Sequence, residues 1–179
     1  MPRYVALLRA INVGGHVVKR DVLRRPFEAL GFAEVSTFIA SGNVLFTSRA
    51  GPAAALETRI ARALHDALGY EVATFLRTPR EMAAAAAHVP FDDPADTDLV
   101  SVGFLARTLT PAARRAVQTF AGPTDDFAVH AREVYWRRRV RISESKFSLS
   151  RFEKAIGTPA TFRNVTTVRK LDALLSPAG

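Results

Sequence analysis

The first apolar stretch of the chain, residues 3–10, is nearly continuous rather than alternating. This pattern is typical of a central strand that is buried on both faces of a sheet. Polar Asn12 and the pair Gly14–Gly15 follow it and predict a turn. Residues 19–30 then carry apolar side chains at helical spacing. Pro26 lies inside that helix and is expected to kink or delay it, because proline lacks an amide donor.

The next elements complete a recognisable order. Residues 35–40 and 44–47 are strand-like and are joined by Ser41-Gly42-Asn43, a hairpin signal. A helical stripe over 56–68 is followed by a strand over 71–77. The order β-α-β-β-α-β predicts the split βαβ, or ferredoxin-like, unit, in which the first and third strands are central.

The rest of the chain also mixes strands and helices. Thr78 and Glu81 have the spacing of a capping box, which predicts a helix from Thr78. The loop at 90–94 suggests a boundary, so we expect a ferredoxin-like subdomain over 1–90 and a second, related α+β unit with a C-terminal helix over 91–179. The further predicted elements are strands at 99–106, 126–131, 133–142 and 161–164, and helices at 110–120, 149–156 and from Asn164 or Thr166 onward.

Composition limits the function classes. Hydrophobic residues make up 48% of the chain, which is enough to bury a core. The chain has no cysteine, which excludes disulfides, thiolate nucleophiles, iron–sulfur clusters and cysteine-ligated zinc. We see no signal peptide and no apolar run approaching the about 20 residues that a membrane helix needs. We therefore expect a cytoplasmic protein without a membrane partner; nothing in the sequence indicates its oligomeric state.

The net charge of +8 favours a polyanionic partner such as nucleic acid. The alternative is a compositional bias, since most of the basic residues are arginines and the chain is rich in alanine.

The predicted topology makes the first turn more informative. In a split βαβ unit, the loop after the first strand and the hairpin between the second and third strands lie at the same end of the sheet. Glycine-turn amides and an arginine suit a phosphate or carboxylate, so we predict an anion site there. The alternative is that the polar side chains only close their own turns. The candidate ligand-binding residues are Arg9, Asn12, Gly14, Gly15, Ser41, Gly42 and Asn43.

A second candidate cluster precedes the last helix. Arg163 and Asn164 lie just before the predicted helix start, where free amides favour an anion, and Lys146 could join them. Ser145, Thr161 and Thr167 are nearby polar residues. The alternative is ordinary capping by Asn164 beside an exposed Arg163.

A third candidate is an arginine stripe. On a strand over 133–142, Arg137, Arg139 and Arg141 would share one face, with Tyr135 available for stacking. Such a stripe could bind a nucleic-acid backbone. The alternative is an edge strand that charge protects from aggregation.

Other chemistry is weakly indicated. The histidines at 16, 65, 88 and 130 are dispersed without metal-ligand spacing, and only His16 is near the predicted anion site. Asp92, Asp93, Asp96 and Asp98 are read as a solvated acidic linker rather than a cation site. We therefore predict no metal and no cofactor.

Four segments carry a family resemblance. ALLRAINVGG, IASGNVLF, SKFS and TFRNVTTVRKL occur in an order and at distances that resemble the bacterial family of domain of unknown function 1697. The resemblance implies two α+β subdomains of ferredoxin-like character and carries no activity. Ala10 replaces a usual glycine and Val165 a usual tryptophan, and the arginines at 137–141 are outside the family pattern.

These observations give one leading hypothesis and two alternatives. The leading one is a binding protein with a pocket for a small anion, a nucleotide or a phosphometabolite. The first alternative is an enzyme acting on a phosphate-bearing substrate, in which Arg9 and Lys146 neutralise charge and His16 or Ser41 moves protons. The second is a nucleic-acid-binding protein that uses the arginine stripe. Whether the protein is an enzyme stays open at this point.

Overall fold

The computed structural model describes residues 1–9, 11, 15, 17–39, 42–49, 51–88, 90–92 and 99–176. Its strands are β1 (Arg3–Leu8), β2 (Ala33–Thr37), β3 (Asn43–Thr47), β4 (Thr74–Arg77), β5 (Val100–Leu105), β6 (Asp125–His130), β7 (Glu133–Arg138) and β8 (Ala160–Asn164). Its helices are α1 (Arg20–Ala29), α2 (Ala53–Leu68), α3 (Pro79–Ala87), α4 (Pro111–Gln118), α5 (Leu149–Ile156) and α6 (Val165–Leu175).

The chain forms two compact units. Unit 1 comprises Met1–Ala83 and Leu171–Gly179, and unit 2 comprises Ala84–Lys170. No helix in the described part of the chain is long and apolar enough to cross a membrane.

Unit 1 contains a four-stranded sheet in the order β2-β3-β1-β4. Every neighbouring pair is antiparallel, and β1 and β3 are central. This is the ferredoxin-like arrangement, as predicted.

Unit 2 repeats the same connectivity. Its sheet has the order β6-β7-β5-β8, again antiparallel throughout. The run β5-α4-β6-β7-α5-β8 therefore matches β1-α1-β2-β3-α2-β4 element by element. The second half is thus a related α+β unit with the same topology as the first.

The packing of the cores explains why the apolar residues of the central strands are continuous rather than alternating. In unit 1, alternate residues of β1 (Tyr4, Ala6 and Leu8) pack in one cluster with side chains of α1 and α2. The intervening Val5 and Leu7 are also fully buried, so both faces of β1 are covered. In unit 2, the corresponding core is rich in aromatic residues; the rings of Trp136 and Phe147 contact each other at a tilt of 38°, with centroids 4.3 Å apart.

Helix ends follow the sequence signals. Thr78 and Glu81 form the predicted capping box, since each backbone N–H donates to the other side chain. Asn164 Oδ1 accepts from Thr167 N at 2.7 Å and caps α6. Pro26 lies inside α1, which runs without a break from Arg20 to Ala29. It removes the donor for the carbonyl of Val22, whose side chain is 38% exposed, so this lost bond lies near the surface.

One glycine of β5 is required by packing. Gly103 lies opposite Phe162 in the β5–β8 ladder, and a Cβ at this position would stand 2.6 Å from two carbons of the Phe162 ring. The absence of a side chain lets the ring lie across the strand.

We expect Gly103→Ala to lower the free energy of unfolding of unit 2 by about 1–3 kcal/mol, because the core must open around the new methyl group. Urea denaturation followed by fluorescence of Trp136, the one tryptophan in the chain, measures this change. Gly122→Ala is the control, since its Cβ would meet nothing within 4 Å. Equal stability of the two variants would contradict the packing argument.

Candidate functional site

The end of β1 and the β2–β3 hairpin are in direct contact. Leu8 N donates to Gly42 O at 2.8 Å. Gly42 has a φ of +81°, and a Cβ there would lie 3.1 Å from Leu8 Cβ and 3.1 Å from Ile11 Cγ1. Glycine is therefore required at this contact both by backbone conformation and by space.

The loop after β1 is anchored at several points. Arg9 N donates to Ala73 O at 2.9 Å, and Tyr70 Oη donates to Ile11 O at 3.4 Å. The side chain of Ile11 is buried in the core of unit 1, and Val18 packs against it. Gly15 is exposed and adopts a φ of +84° with open space around it. The described part of the loop is thus anchored at Arg9 and Ile11, whereas Gly15 is exposed.

The predicted site residues have different environments. Arg9 is half-buried and directly follows Leu8, which contacts the hairpin. Asn43 is fully buried; its Nδ2 donates to Phe38 O at 2.9 Å, so its amide closes the hairpin as the alternative interpretation expected. Asn12, Gly14 and Ser41, together with His16, lie outside the described residues.

The hairpin also contains a strained residue that sequence reasoning did not single out. Ile39 has a φ of +60° and its side chain is 41% exposed. A β-branched residue in the left-handed region is a genuine outlier, and such conformations cost about 1–3 kcal/mol each.

The second predicted cluster is structural in large part. Arg163 is buried, contrary to the exposed position expected in the capping alternative, and its Nη1 donates to Thr161 Oγ1 at 2.8 Å and to Phe162 O at 3.0 Å. Burial lowers the pKa of the Arg163 guanidinium to about 10. Asn164 caps α6, and Lys146 is exposed.

Arg163 has a counterpart in unit 1 that the sequence did not reveal. Arg77 lies opposite Val5, the third residue of β1, as Arg163 lies opposite Val102, the third residue of β5. Both arginines are buried, and each donates from Nη1 to the carbonyl of the preceding residue. The pair marks equivalent positions in the two units.

The arginine stripe differs from the prediction. The strand predicted over 133–142 ends at Arg138, so Arg139 and Arg141 lie beyond it. Arg137 and Arg139 both place Nη2 2.7 Å from Asp126 Oδ2. Burial raises the pKa of Asp126, but the hydrogen bonds and the positive charges of both arginines together outweigh it and leave the pKa below its usual value. Arg141 precedes a 3-10 turn over Ile142–Glu144, which ends the extended segment.

Two histidines that are distant in sequence meet in unit 2. The rings of His88 and His130 stack with centroids 3.9 Å apart, and the ring of His88 contacts Tyr135 edge-on at 5.1 Å. Tyr135 Oη donates to Ala85 O at 3.1 Å in the last turn of α3. Nothing in the spacing of the histidines predicts this pairing. Within the described residues, no group of three or more His, Cys, Asp or Glu could hold a metal ion.

Buried Glu133 contributes to the electrostatics of this cluster. Burial and the neighbouring His130 lower the pKa of His88, and the Glu133 carboxylate offsets part of that change. Burial, and then Glu133, raise the pKa of Tyr135 above its usual range. The cluster therefore favours neutral His88 and neutral Tyr135.

Comparison with known proteins identifies the family. The model of the family described as "Protein of unknown function (DUF1697)" matches residues 1–135. The chain belongs to this family. The match includes the turn after β1 and the β2–β3 hairpin, as the resemblance of the sequence motifs indicated. Among curated proteins, none matches the chain.

A solved structure has the same fold. The conserved bacterial protein SP0830 from Streptococcus pneumoniae is 21% identical, with a TM-score of 0.74 over 98% of this chain and 99% of that protein. The two-unit α+β architecture is therefore shared along nearly the whole length of both chains. At this sequence identity, the similarity shows the fold alone.

The pKa of His88 predicts acid sensitivity of unit 2. The ordinary histidine pKa is about 6.5, so as the pH falls through that value the unfolded chain takes up a proton that folded His88 resists. We expect the thermal midpoint of unfolding to decrease as the pH is lowered from about 7.5 to about 5.5. His88→Gln should remove part of that decrease. Differential scanning fluorimetry measures both. The control is His65→Gln, which alters an exposed histidine in unit 1 and should follow the parent; an unchanged pH profile for His88→Gln would contradict the argument.

Proposed function

We propose that this family member is a cytoplasmic binding protein for a small phosphate-bearing ligand, held between the loop after β1 and the β2–β3 hairpin. The hydrogen bond from Leu8 N to Gly42 O is the observation that carries the proposal. It joins the end of β1 to the hairpin, and this contact supports the proposal that the turn after β1 and the hairpin form one site.

The chemistry of these turns suits an oxyanion. Backbone N–H groups in turns that contain left-handed residues, such as Gly15 and Gly42, form anion-binding concavities. The guanidinium of Arg9 supplies a planar pair of donors that matches phosphate or carboxylate. Asn12, Gly14 and Ser41 complete the proposed donor set by their positions in the two turns, whereas Asn43 supports it by closing the hairpin.

The alternatives stay predictions with less support. Arg137 and Arg139 share the Asp126 carboxylate, so a nucleic-acid backbone would compete with an existing ion pair. The enzyme alternative uses the same two turns and adds proton transfer by His16 or Ser41, which stays a prediction. No observation of the described residues favours either function over simple binding.

We expect inorganic phosphate, ribose 5-phosphate or AMP to shift the backbone amide resonances of Arg9, Gly15 and Gly42 in a ¹H–¹⁵N NMR titration. Arg9→Ala should weaken binding by about tenfold or more, because a hydrogen bond to a charged group contributes about 1.5–3 kcal/mol.

The matched control is Arg3→Ala. Arg3 is also half-buried and lies at the opposite end of the same strand, so the change in net charge is identical. Equal affinity of Arg9→Ala and Arg3→Ala, or no shift at the two turns with any of the three compounds, would refute the proposed site.

A further inference from the structure

The β2–β3 hairpin contains one side chain whose strained backbone conformation is not explained by burial in the core. Ile39 holds a φ of +60°, a conformation that glycine or asparagine adopts with much less strain. Its side chain is 41% exposed, so the strain is not compensated by full burial in the core. The sequence thus places a β-branched apolar residue where the backbone disfavours it.

Hydrogen bonds on both sides of Ile39 hold the described part of the hairpin in place. Phe38 N donates to Asn43 O at 3.0 Å, and Asn43 Nδ2 donates back to Phe38 O at 2.9 Å. Gly42 O is in turn bonded to Leu8 N at 2.8 Å. Strained residues persist where the surrounding structure fixes them, and they cluster at ligand-binding positions.

We propose that Ile39 is a ligand-contacting residue and that the ligand is a mononucleotide. This inference rests on the proposed anion site, since Ile39 belongs to the same hairpin as Gly42. The phosphate occupies the turn donors, and the base covers the exposed side chain of Ile39. A base has a flat, weakly polar face that removes apolar surface from water, whereas a sugar phosphate would place hydroxyl groups there.

Four probes separate the two parts of such a ligand: AMP, adenosine, ribose 5-phosphate and inorganic phosphate. We expect AMP to bind at least about tenfold more tightly than ribose 5-phosphate, since covering an isoleucine side chain is a substantial apolar contact. Both AMP and adenosine should shift the methyl resonances of Ile39 in a ¹H–¹³C NMR titration. Inorganic phosphate should shift only the turn amides.

The decisive variant is Ile39→Asn, which relieves the strain and removes the apolar surface. It should raise the thermal midpoint while lowering AMP affinity by about tenfold and leaving phosphate affinity unchanged. Glu34→Asn is the matched control. Glu34 is an exposed residue of β2 with a φ of +51°, so this variant relieves similar strain and should bind AMP as the parent does.

The outcomes distinguish the two proposals. Phosphate binding that depends on Arg9, together with equal AMP affinity in Ile39→Asn and the parent, overturns the nucleotide inference and leaves the anion site intact. Absence of phosphate, ribose 5-phosphate and AMP binding overturns the anion site itself. An unchanged thermal midpoint in Ile39→Asn shows that the position is unstrained and removes the basis of the inference.

Discussion

The hydrogen bond between the last residue of the first strand and the following hairpin organises each unit. Leu8 N donates to Gly42 O in unit 1, and Leu105 N donates to Arg132 O at 3.0 Å in unit 2. Because the first strand is central, this bond fixes the position of the hairpin relative to the whole sheet. The shared bond holds the hairpin at the same position in both units. The residues of each hairpin then determine which chemical groups lie at that position.

The two units use this shared geometry differently. In unit 2, His130 pairs with Glu133 across a two-residue turn, and the space beside it is filled by the stacked His88 and by Tyr135. In unit 1, the longer hairpin presents Gly42 and the strained Ile39. One fold therefore carries a titratable cluster in one unit and a candidate ligand site in the other.

The sequence predicted the features that depend on local order. The continuous apolar run of β1, the hairpin signal before Asn43 and the capping box at Thr78 were each sufficient, because periodicity, turn chemistry and capping act within a few residues. Together they predict the ferredoxin-like order, which the sheet of unit 1 confirms, and the convergence of the turn after β1 with the β2–β3 hairpin, which stays a prediction. The ligand that binds at these turns and the chemistry of the site stay predictions.

Features that depend on contacts between distant residues could not be predicted in this way. His88 and His130 meet where Tyr135 of β7 contacts Ala85 at the end of α3 and the ring of His88, an arrangement that no spacing encodes. The repeat was hidden for a related reason. TFLR of β4 and TFR of β8 invite an alignment on their phenylalanines, yet Phe75 pairs with Leu7 and Phe162 with Gly103, one position apart in the ladder. Only the strand register aligns Arg77 with Arg163.

The division of the chain also has a consequence for the order in which the protein folds. Unit 1 includes residues 171–179, which are separated from the rest of it by all of unit 2, residues 84–170. The whole of unit 2 is therefore synthesised before the last segment of unit 1. Unit 2 can fold as a continuous stretch, and in doing so it shortens the loop whose closure entropy unit 1 must overcome. The folding of unit 2 thus reduces the entropy that unit 1 loses when its last segment joins the rest of the unit.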